Sequence, residues 1–149
     1  MSDVDVAVAA YPILGLGLCG VLEDRGRTAV AVHSTAELAR RLPELRPHVV
    51  LVDVVLPGAL TAVERSLDQS SAPAVVVMGD EADDDALLVA ACAGALGVLP
   101  RDVTAEVADR ALCAAARGES LLPRRLVPRV MAILRADAVV HHAIELMGH

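Results

Sequence analysis

Aromatic side chains are almost absent from this 149-residue chain, which has no tryptophan, no phenylalanine and a single tyrosine, Tyr11. The hydrophobic core must therefore be aliphatic, and proteins that stack single-stranded nucleic-acid bases on aromatic rings are excluded as a class. Lysine is also absent, so arginine supplies all 13 basic residues, against 20 acidic ones. The net charge of −7 argues against direct nucleic-acid binding, because a nucleic-acid footprint needs clustered cations.

Long hydrophobic runs are missing as well. No apolar run reaches the roughly 18 residues that a membrane-spanning helix needs. The most apolar stretch, 13–22, contains three glycines and is followed by the acidic Glu23 and Asp24. The amino terminus is acidic at Asp3, whereas a secretory signal starts with positive charge. We therefore expect a cytoplasmic protein without membrane contact.

Residues that bind metals are scattered rather than clustered. The three cysteines, in widely separated apolar contexts, are Cys19, Cys92 and Cys113. They are expected to be small buried hydrophobes in a reducing compartment rather than a disulfide set. The histidines of the tail are His141, His142 and His149. They have no cysteine or carboxylate cluster at ligand spacing, so we expect no metal and no cofactor.

Short valine-rich runs alternate with helical segments along the chain. Strands are predicted at 4–9, 28–32, 48–52, 74–78 and 97–99, and the helices between and after them at 13–22, 35–42, 61–67, 83–93 and 105–117. This alternation predicts parallel strands, and nearly continuous apolar strands require helices on both faces. The fold class is therefore α/β, a doubly wound five-stranded parallel sheet. An extra C-terminal helix is predicted from Pro123, interrupted early by Pro128.

Asp53 is the strongest candidate functional residue, because it follows the buried strand at 49–52. In a doubly wound sheet, ligands and chemistry collect at the carboxyl ends of the strands. A carboxylate there is expected to be reachable by solvent. A cap of the following turn is an equally good interpretation of its position.

Two other patterns have simpler interpretations. Gly15, Gly17 and Gly20 match the Gly-x-Gly-x-x-Gly dinucleotide fingerprint, which must directly follow the first strand. Residues 11–14 intervene, so a glycine-tolerant helix packed closely on its neighbours is favoured. The acidic run at 80–85 lacks the alternation of a calcium loop, and predicts capping of a helix N-terminus.

The chain resembles the receiver domains of response regulators in several ordered motifs across residues 4–134. Asp53, with a proline four residues later, resembles the phosphoacceptor strand and the loop that follows it. Tyr11-Pro12 resembles the pair after the family's first-strand acidic doublet, and 94–99 resembles the segment that forms strand five. Residues 114–123 are similar to the last helix and linker of the LuxR-type NarL/FixJ subgroup. The resemblance implies a flavodoxin-like strand order, 2-1-3-4-5, a receiver domain at 1–120, a linker-like helix and tail at 121–149, and a role in two-component phosphorelay signalling and transcription regulation.

The family's phosphorylation chemistry is mostly missing. By the resemblance, its acidic doublet falls on Ala9 and Ala10, and its strand-four hydroxyl falls on Gly79, or on Met78 if a gap is allowed. Its switch aromatic falls on Val98 and its lysine on Arg101. Methyl groups cannot ligate Mg²⁺, which demands oxygen donors. We therefore expect that Asp53 is not phosphorylated by the standard Mg²⁺-dependent route. Its carboxylate is expected to pair with Arg101 instead.

Binding is then the expected function. The residues predicted to face outward on the first and fourth helices are apolar or neutral, and they are Gly15, Leu16, Cys19, Gly20, Val89 and Cys92. Exposed apolar faces of this kind mark interfaces, so we predict a non-enzymatic signalling module that acts through a homodimer or a protein partner. The alternative is a metabolite sensor that uses the emptied crevice around Ala9, Ala10, Asp53 and Gly79.

Overall fold

The computed structural model describes residues 4–147, and all side chains among them except those of 138–141 and 143. The strands are β1 (Val6–Ala9), β2 (Ala29–Val32), β3 (Val49–Asp53), β4 (Ala74–Met78) and β5 (Gly97–Leu99). The helices are α1 (Pro12–Asp24), α2 (Thr35–Leu45), α3 (Ala59–Leu67), α4 (Asp84–Ala93), α5 (Ala105–Ala116) and α6 (Val127–Met147). A single 3-10 turn, Glu81–Asp83, leads into α4.

The five strands form one parallel sheet in the order β2-β1-β3-β4-β5, which confirms the predicted fold class. Ala9 pairs with Val52, so the end of β1 lies beside the end of β3. Asp53 pairs with Met78 of β4. The carboxyl ends of the strands therefore meet at one edge, as the βα alternation requires.

Helices cover both faces of the sheet, and alternate strand residues supply the two cores. Leu51 packs with Leu22 of α1 and Leu112 of α5 on one face. Val52 packs with Leu38 of α2 on the other face. In the absence of large rings, these layers are filled by valine, leucine and alanine.

Helix α2 runs three residues further than the sequence predicts. Ser34 caps its N-terminus by accepting a hydrogen bond from the Glu37 backbone N–H at 3.0 Å. Pro43, directly after the predicted end at residue 42, lies inside the last turn. A proline there removes only one helical hydrogen bond, and the helix ends instead at Arg46, whose φ of 45° is left-handed.

The segment after α5 adds to the sheet and to the core. The Leu121 backbone N–H donates to Leu96 O at 2.7 Å, and Leu121 O accepts from the Val98 N–H at 3.1 Å. Leu121 therefore pairs in parallel with the outer side of β5. Leu126 is fully buried in the core of the α3 and α4 face. The division between 1–120 and 121–149 stays a prediction.

The start of the C-terminal helix differs from the prediction. Helix α6 begins at Val127 rather than at Pro123, and Pro128 lies in its first turn. A proline in the first turn removes an N–H that has no helical partner anyway, so it does not interrupt the helix. The expected extension into the tail is present as far as Met147.

Two further observations concern whole classes of function. In the range 4–147, no helix is both long enough and apolar enough to cross a membrane. The cysteines are free, but only Cys19 is buried, whereas Cys92 and Cys113 are half-buried, contrary to the prediction. Burial raises the pKa of the Cys19 thiol to about 11, so this thiol is protonated and unreactive at neutral pH.

Candidate functional site

Asp53 ends β3, which lies between β1 and β4 in the sheet. Ala9 ends the neighbouring strand β1 and Ala10 follows it, and both are buried, with exposed fractions of 0% and 1%. The Asp53 side chain is itself only 3% exposed, so the expectation of a solvent-reachable carboxylate was wrong. The reason is that Arg101, from the turn after β5, covers it.

The carboxylate of Asp53 is held by three hydrogen bonds. Its Oδ1 accepts from Nη2 of Arg101 at 2.7 Å and from the Val55 backbone N–H at 3.0 Å. Its Oδ2 accepts from Nε of Arg101 at 3.1 Å. The guanidinium therefore grips both carboxylate oxygens, which is the strongest geometry available to an ion pair of this type. The predicted pairing of Asp53 with Arg101 is present.

The remaining guanidinium nitrogen of Arg101 binds the turn after β4. Its Nη1 donates to Asp83 at 2.8 Å and to Asp80 at 3.2 Å, and the Arg101 backbone N–H donates to Asp80 at 3.2 Å. Hydrogen bonds to Asp53 are the largest cause of the raised pKa of Arg101, followed among its partners by those to Asp83. Arg101 thus joins the ends of β3, β4 and β5 through one side chain.

The two acids that bind Arg101, Asp80 and Asp83, are held in place at the 3-10 turn. The Asp80 backbone N–H donates to Asp83 at 3.0 Å, and the two residues form a capping box. That backbone N–H is the main reason why the pKa of Asp83 lies below its ordinary value, and Arg101 lowers it further. The acidic run therefore caps the 3-10 turn and places Asp84 and Asp85 in the first turn of α4, whose own N-cap, Asp83, accepts no capping hydrogen bond through its side chain.

Sequence reasoning missed the ion pairs of the same acidic run. Asp80 and Asp83 bind Arg101, whereas Asp84 and Asp85 bind two arginines at the start of the C-terminal helix. The Asp84 carboxylate meets Arg125 at 2.9 Å, and this contact lowers the pKa of Asp84. One signal in the sequence could have predicted the contacts of Arg101. Asp80 and Asp83 lie three residues apart just after β4, and Arg101 lies two residues after the end of the neighbouring strand β5.

The crevice expected around Ala9, Ala10, Asp53 and Gly79 is packed on one side of Gly79 and open on another, where Gly79 and Val98 line a space of about 590 Å³ together with Pro100, Pro123 and Arg125. On the packed side, a Cβ built on Gly79 would lie 2.9 Å from Leu87 Cδ2 and 3.0 Å from Val54 Cγ2, so the core already occupies that side. Val98, at the position of the family's switch aromatic, is buried in the same core. On this side of Gly79, Leu87 and Val54 pack closely against the glycine in place of a larger side chain.

A separate open cleft lies on the α1 side of Asp53. Leu51 faces α1 and α5, and strand alternation places Asp53 on the same side. The cleft has a volume of about 620 Å³, and Asp53 and Arg101 supply its charged lining. Its apolar lining includes Ile13, Leu14, Gly17, Val21, Val55 and Val103. We refer to this space as the α1 cleft.

The outward face of α1 differs in part from the prediction. Gly15 and Cys19 are buried, and a Cβ at Gly15 would lie 3.6 Å from Ala10 O. The glycine pattern lies inside the helix, as favoured above, but only Gly15 packs closely, since a Cβ at Gly17 or Gly20 would meet nothing within 4 Å. The exposed apolar residues around the helix are Tyr11, Ile13, Leu16 and Val55, and Ile13 is 92% exposed.

Comparison with known proteins gives the family. No family model matches the chain. The transcriptional regulatory protein LiaR of Bacillus subtilis is 31% identical over 142 residues, which cover 90% of this chain and 67% of LiaR. The chain belongs to the response-regulator family. The nitrate/nitrite response regulator NarL of Escherichia coli is 32% identical over 113 residues, which cover 74% of this chain but only 52% of NarL.

Solved structures of response regulators share the fold. The non-phosphorylated receiver domain of the Escherichia coli stress response regulator RcsB superposes with a TM-score of 0.69 at 20% identity, covering 83% of this chain and 100% of that domain. A LuxR-family two-component response regulator from Aurantimonas gives 0.70 at 20% identity, with 91% and 99% covered. The chain is thus a receiver domain of the NarL/FixJ type.

The Mg²⁺ site that the family resemblance implies does not fit the residues at this edge. Ala9 and Ala10 offer buried methyl groups where oxygen donors are needed. Both oxygens of Asp53 already accept hydrogen bonds from Arg101. Elsewhere in the described chain, no group of three His, Cys, Asp or Glu residues could hold a metal. His149 and the side chain of His141 lie outside the described residues.

The ion pair generates a stability prediction. Arg101→Met leaves a buried carboxylate without its cation, and should lower the free energy of unfolding by about 2–4 kcal/mol. The lower bound allows for solvent screening, because the Arg101 side chain is 26% exposed. Urea unfolding at neutral pH measures the change. The double variant Asp53→Asn/Arg101→Met should lose at least about 1 kcal/mol less than the two single changes together.

A matched control is available on α5. Arg110 pairs with Glu106 at 2.9 Å, but both side chains are largely exposed. Arg110→Met should therefore change stability by less than about 0.5 kcal/mol. Equal effects of Arg101→Met and Arg110→Met would contradict a structural role for the Asp53–Arg101 pair.

Proposed function

We propose that this response regulator is an atypical receiver module of two-component signalling and transcription regulation, in which Asp53 is not phosphorylated by the standard Mg²⁺-dependent route. Its output is association with a second copy or with another protein. One observation carries the proposal. The two-pronged contact of Arg101 occupies the Asp53 carboxylate, and the neighbouring positions on β1 carry only methyl groups.

The chemical requirements of phosphoryl transfer support this proposal. The reaction depends on positioning the phosphoryl group and on neutralising its developing charge. At the end of β1, Ala9 and Ala10 supply no metal ligand, and Gly79 supplies no hydroxyl at the end of β4. Val98 supplies no switch aromatic on β5. Asp53 thus stands as the phosphoacceptor equivalent within a degenerate phosphorylation site.

The association proposal is supported by the exposed apolar face of α1. Ile13 and Leu16 are 92% and 60% exposed, and Tyr11 and Val55 extend the same surface. Apolar side chains grouped at a surface in this way typically mark interaction sites. Val89 of α4 is exposed too, and α6, which packs on α4, exposes Met131 and Leu134. We place the interface on α1, because Ile13 is the most exposed large apolar side chain among the described residues.

Several narrower statements belong to the same proposal. We assign no catalytic activity, since the similar proteins LiaR and NarL are named as regulators. We assign no direct contact with nucleic acid to this chain, because its net charge is −7. We place the protein in the cytoplasm, where free cysteines such as Cys92 and Cys113 stay reduced.

Acetyl phosphate tests the phosphorylation part of the proposal. After incubation of the protein with acetyl phosphate and Mg²⁺, the intact mass should be unchanged, because no metal-bound phosphoryl group forms at Asp53. Mass spectrometry of the intact chain measures this. A receiver domain that retains its acidic doublet is the positive control. A stoichiometric gain of about 80 Da that disappears in Asp53→Asn would sink the proposal.

Sedimentation velocity tests the association part. At high micromolar concentration the protein should self-associate, and Leu16→Glu should shift it to monomer because a charge enters an apolar interface. Val89→Glu is the matched control, since it places the same charge on exposed α4, and it should not alter the sedimentation coefficient. A wild-type protein that is strictly monomeric speaks against the homodimer, and dissociation by Val89→Glu alone would move the interface to α4.

A small-molecule sensor is the second candidate function. The observation that favours it is the α1 cleft, whose volume of about 620 Å³ falls within the usual range of ligand pockets. The cleft contains Asp53 of the expected crevice, and we place such a ligand there. Its lining combines aliphatic side chains with the one charged pair of the degenerate site, Asp53 and Arg101.

A further inference from the structure

We propose that the α1 cleft binds a lipophilic cation, an apolar molecule that carries an amine. This inference rests on the second candidate function and names the chemical class of its ligand. The cleft is open to solvent and lined by aliphatic side chains from α1, by Val55 after β3 and by Val103 before α5. Exposed apolar surface that surrounds a concave site is favourable to cover, and it fits the apolar part of a ligand.

The charge of the ligand follows from the balance at the polar end of the cleft. Arg101 is the one cation that lines the cleft, and it binds three carboxylates: that of Asp53, which also lines the cleft, and those of Asp80 and Asp83, which do not. The cluster therefore carries two formal negative charges in excess at neutral pH. An anionic headgroup would have to compete with three carboxylates for one guanidinium, whereas a cation is attracted by the excess.

Tyr11 provides a second reason for a cation. It is the only tyrosine in a chain that lacks phenylalanine and tryptophan, and it lines this cleft. Its side chain is 52% exposed, so a ring face is open to a ligand. An ammonium group is attracted to the negative face of an aromatic ring, which an alcohol or a carboxylate is not.

Gly17 and Gly20 allow a matched test of the location. Both glycines lie in α1, and a Cβ at either position would meet nothing within 4 Å. Gly17 lines the cleft and Gly20 does not. Gly17→Leu should therefore fill the cleft, whereas Gly20→Leu places the same side chain on the same helix outside it. Both changes remove a helical glycine, so neither is expected to unfold the protein.

The experiment titrates the intact chain with octylamine, octanol and octanoate by calorimetry. The two ionic probes are kept below their micellar concentrations, and octanol is kept below its solubility limit. These probes share one tail and differ in the charge of the head. Octylamine should bind at least about tenfold more tightly than octanoate, with octanol between them. Gly17→Leu should weaken octylamine binding at least about tenfold, and Gly20→Leu should leave it within about twofold.

Three results would overturn the proposal, and they separate it from the functions proposed above. Binding of octanoate or octanol as tightly as octylamine, still lost in Gly17→Leu, rejects the cation but retains a ligand site in the cleft. Equal octylamine binding in Gly17→Leu and wild type rejects the cleft as the site. Binding of none of the probes rejects both the cation and the sensor, and leaves the association function to its own sedimentation test.

Discussion

The carboxylate of Asp53 is buried at the carboxyl end of the parallel sheet, and a buried charge must be compensated where it lies. Arg101 supplies that compensation through two hydrogen bonds, and the same side chain reaches Asp80 and Asp83. The turns after β3, β4 and β5 are therefore held to one another by a single guanidinium. This constraint explains both the burial of the Asp53 carboxylate and the poor fit of the site to a divalent cation.

The acidic run after β4 connects this edge to the C-terminal helix. Its inner acids bind Arg101, and its outer acids, Asp84 and Asp85, bind Arg125 and Arg129. The Arg129–Asp85 pair is largely exposed and contributes little alone, whereas the Arg125–Asp84 pair is partly covered, with Asp84 only 23% exposed. Leu126, buried between them and the sheet, supplies the apolar contact that fixes the segment. The degenerate site and the C-terminal helix thus share one short connection, which gives a physical route between them.

Local patterns in the sequence predict much of the fold and part of the site. The strands at 74–78 and 97–99 have the predicted bounds, because valine-rich runs between glycine and proline leave few alternatives. The Asp53–Arg101 pair was also predictable, since parallel strands end at one edge. The close packing at Gly79 was not predictable, because it depends on Leu87 and Val54 from other elements. The α1 cleft was missed for the same reason, as it depends on where α1 lies against the turn after β3.

Titration with Mg²⁺, followed by backbone amide resonances in NMR spectra, tests the central claim most directly. The amides of Ala10, Asp53, Val55 and Gly79 lie at the edge where the metal would bind. If Arg101 takes the place of the cation, millimolar Mg²⁺ should produce only small, non-saturating shifts at these positions. Saturable shifts centred on Asp53 and its neighbours, absent in Asp53→Asn, would show that the carboxylate is available to metal and would contradict the account.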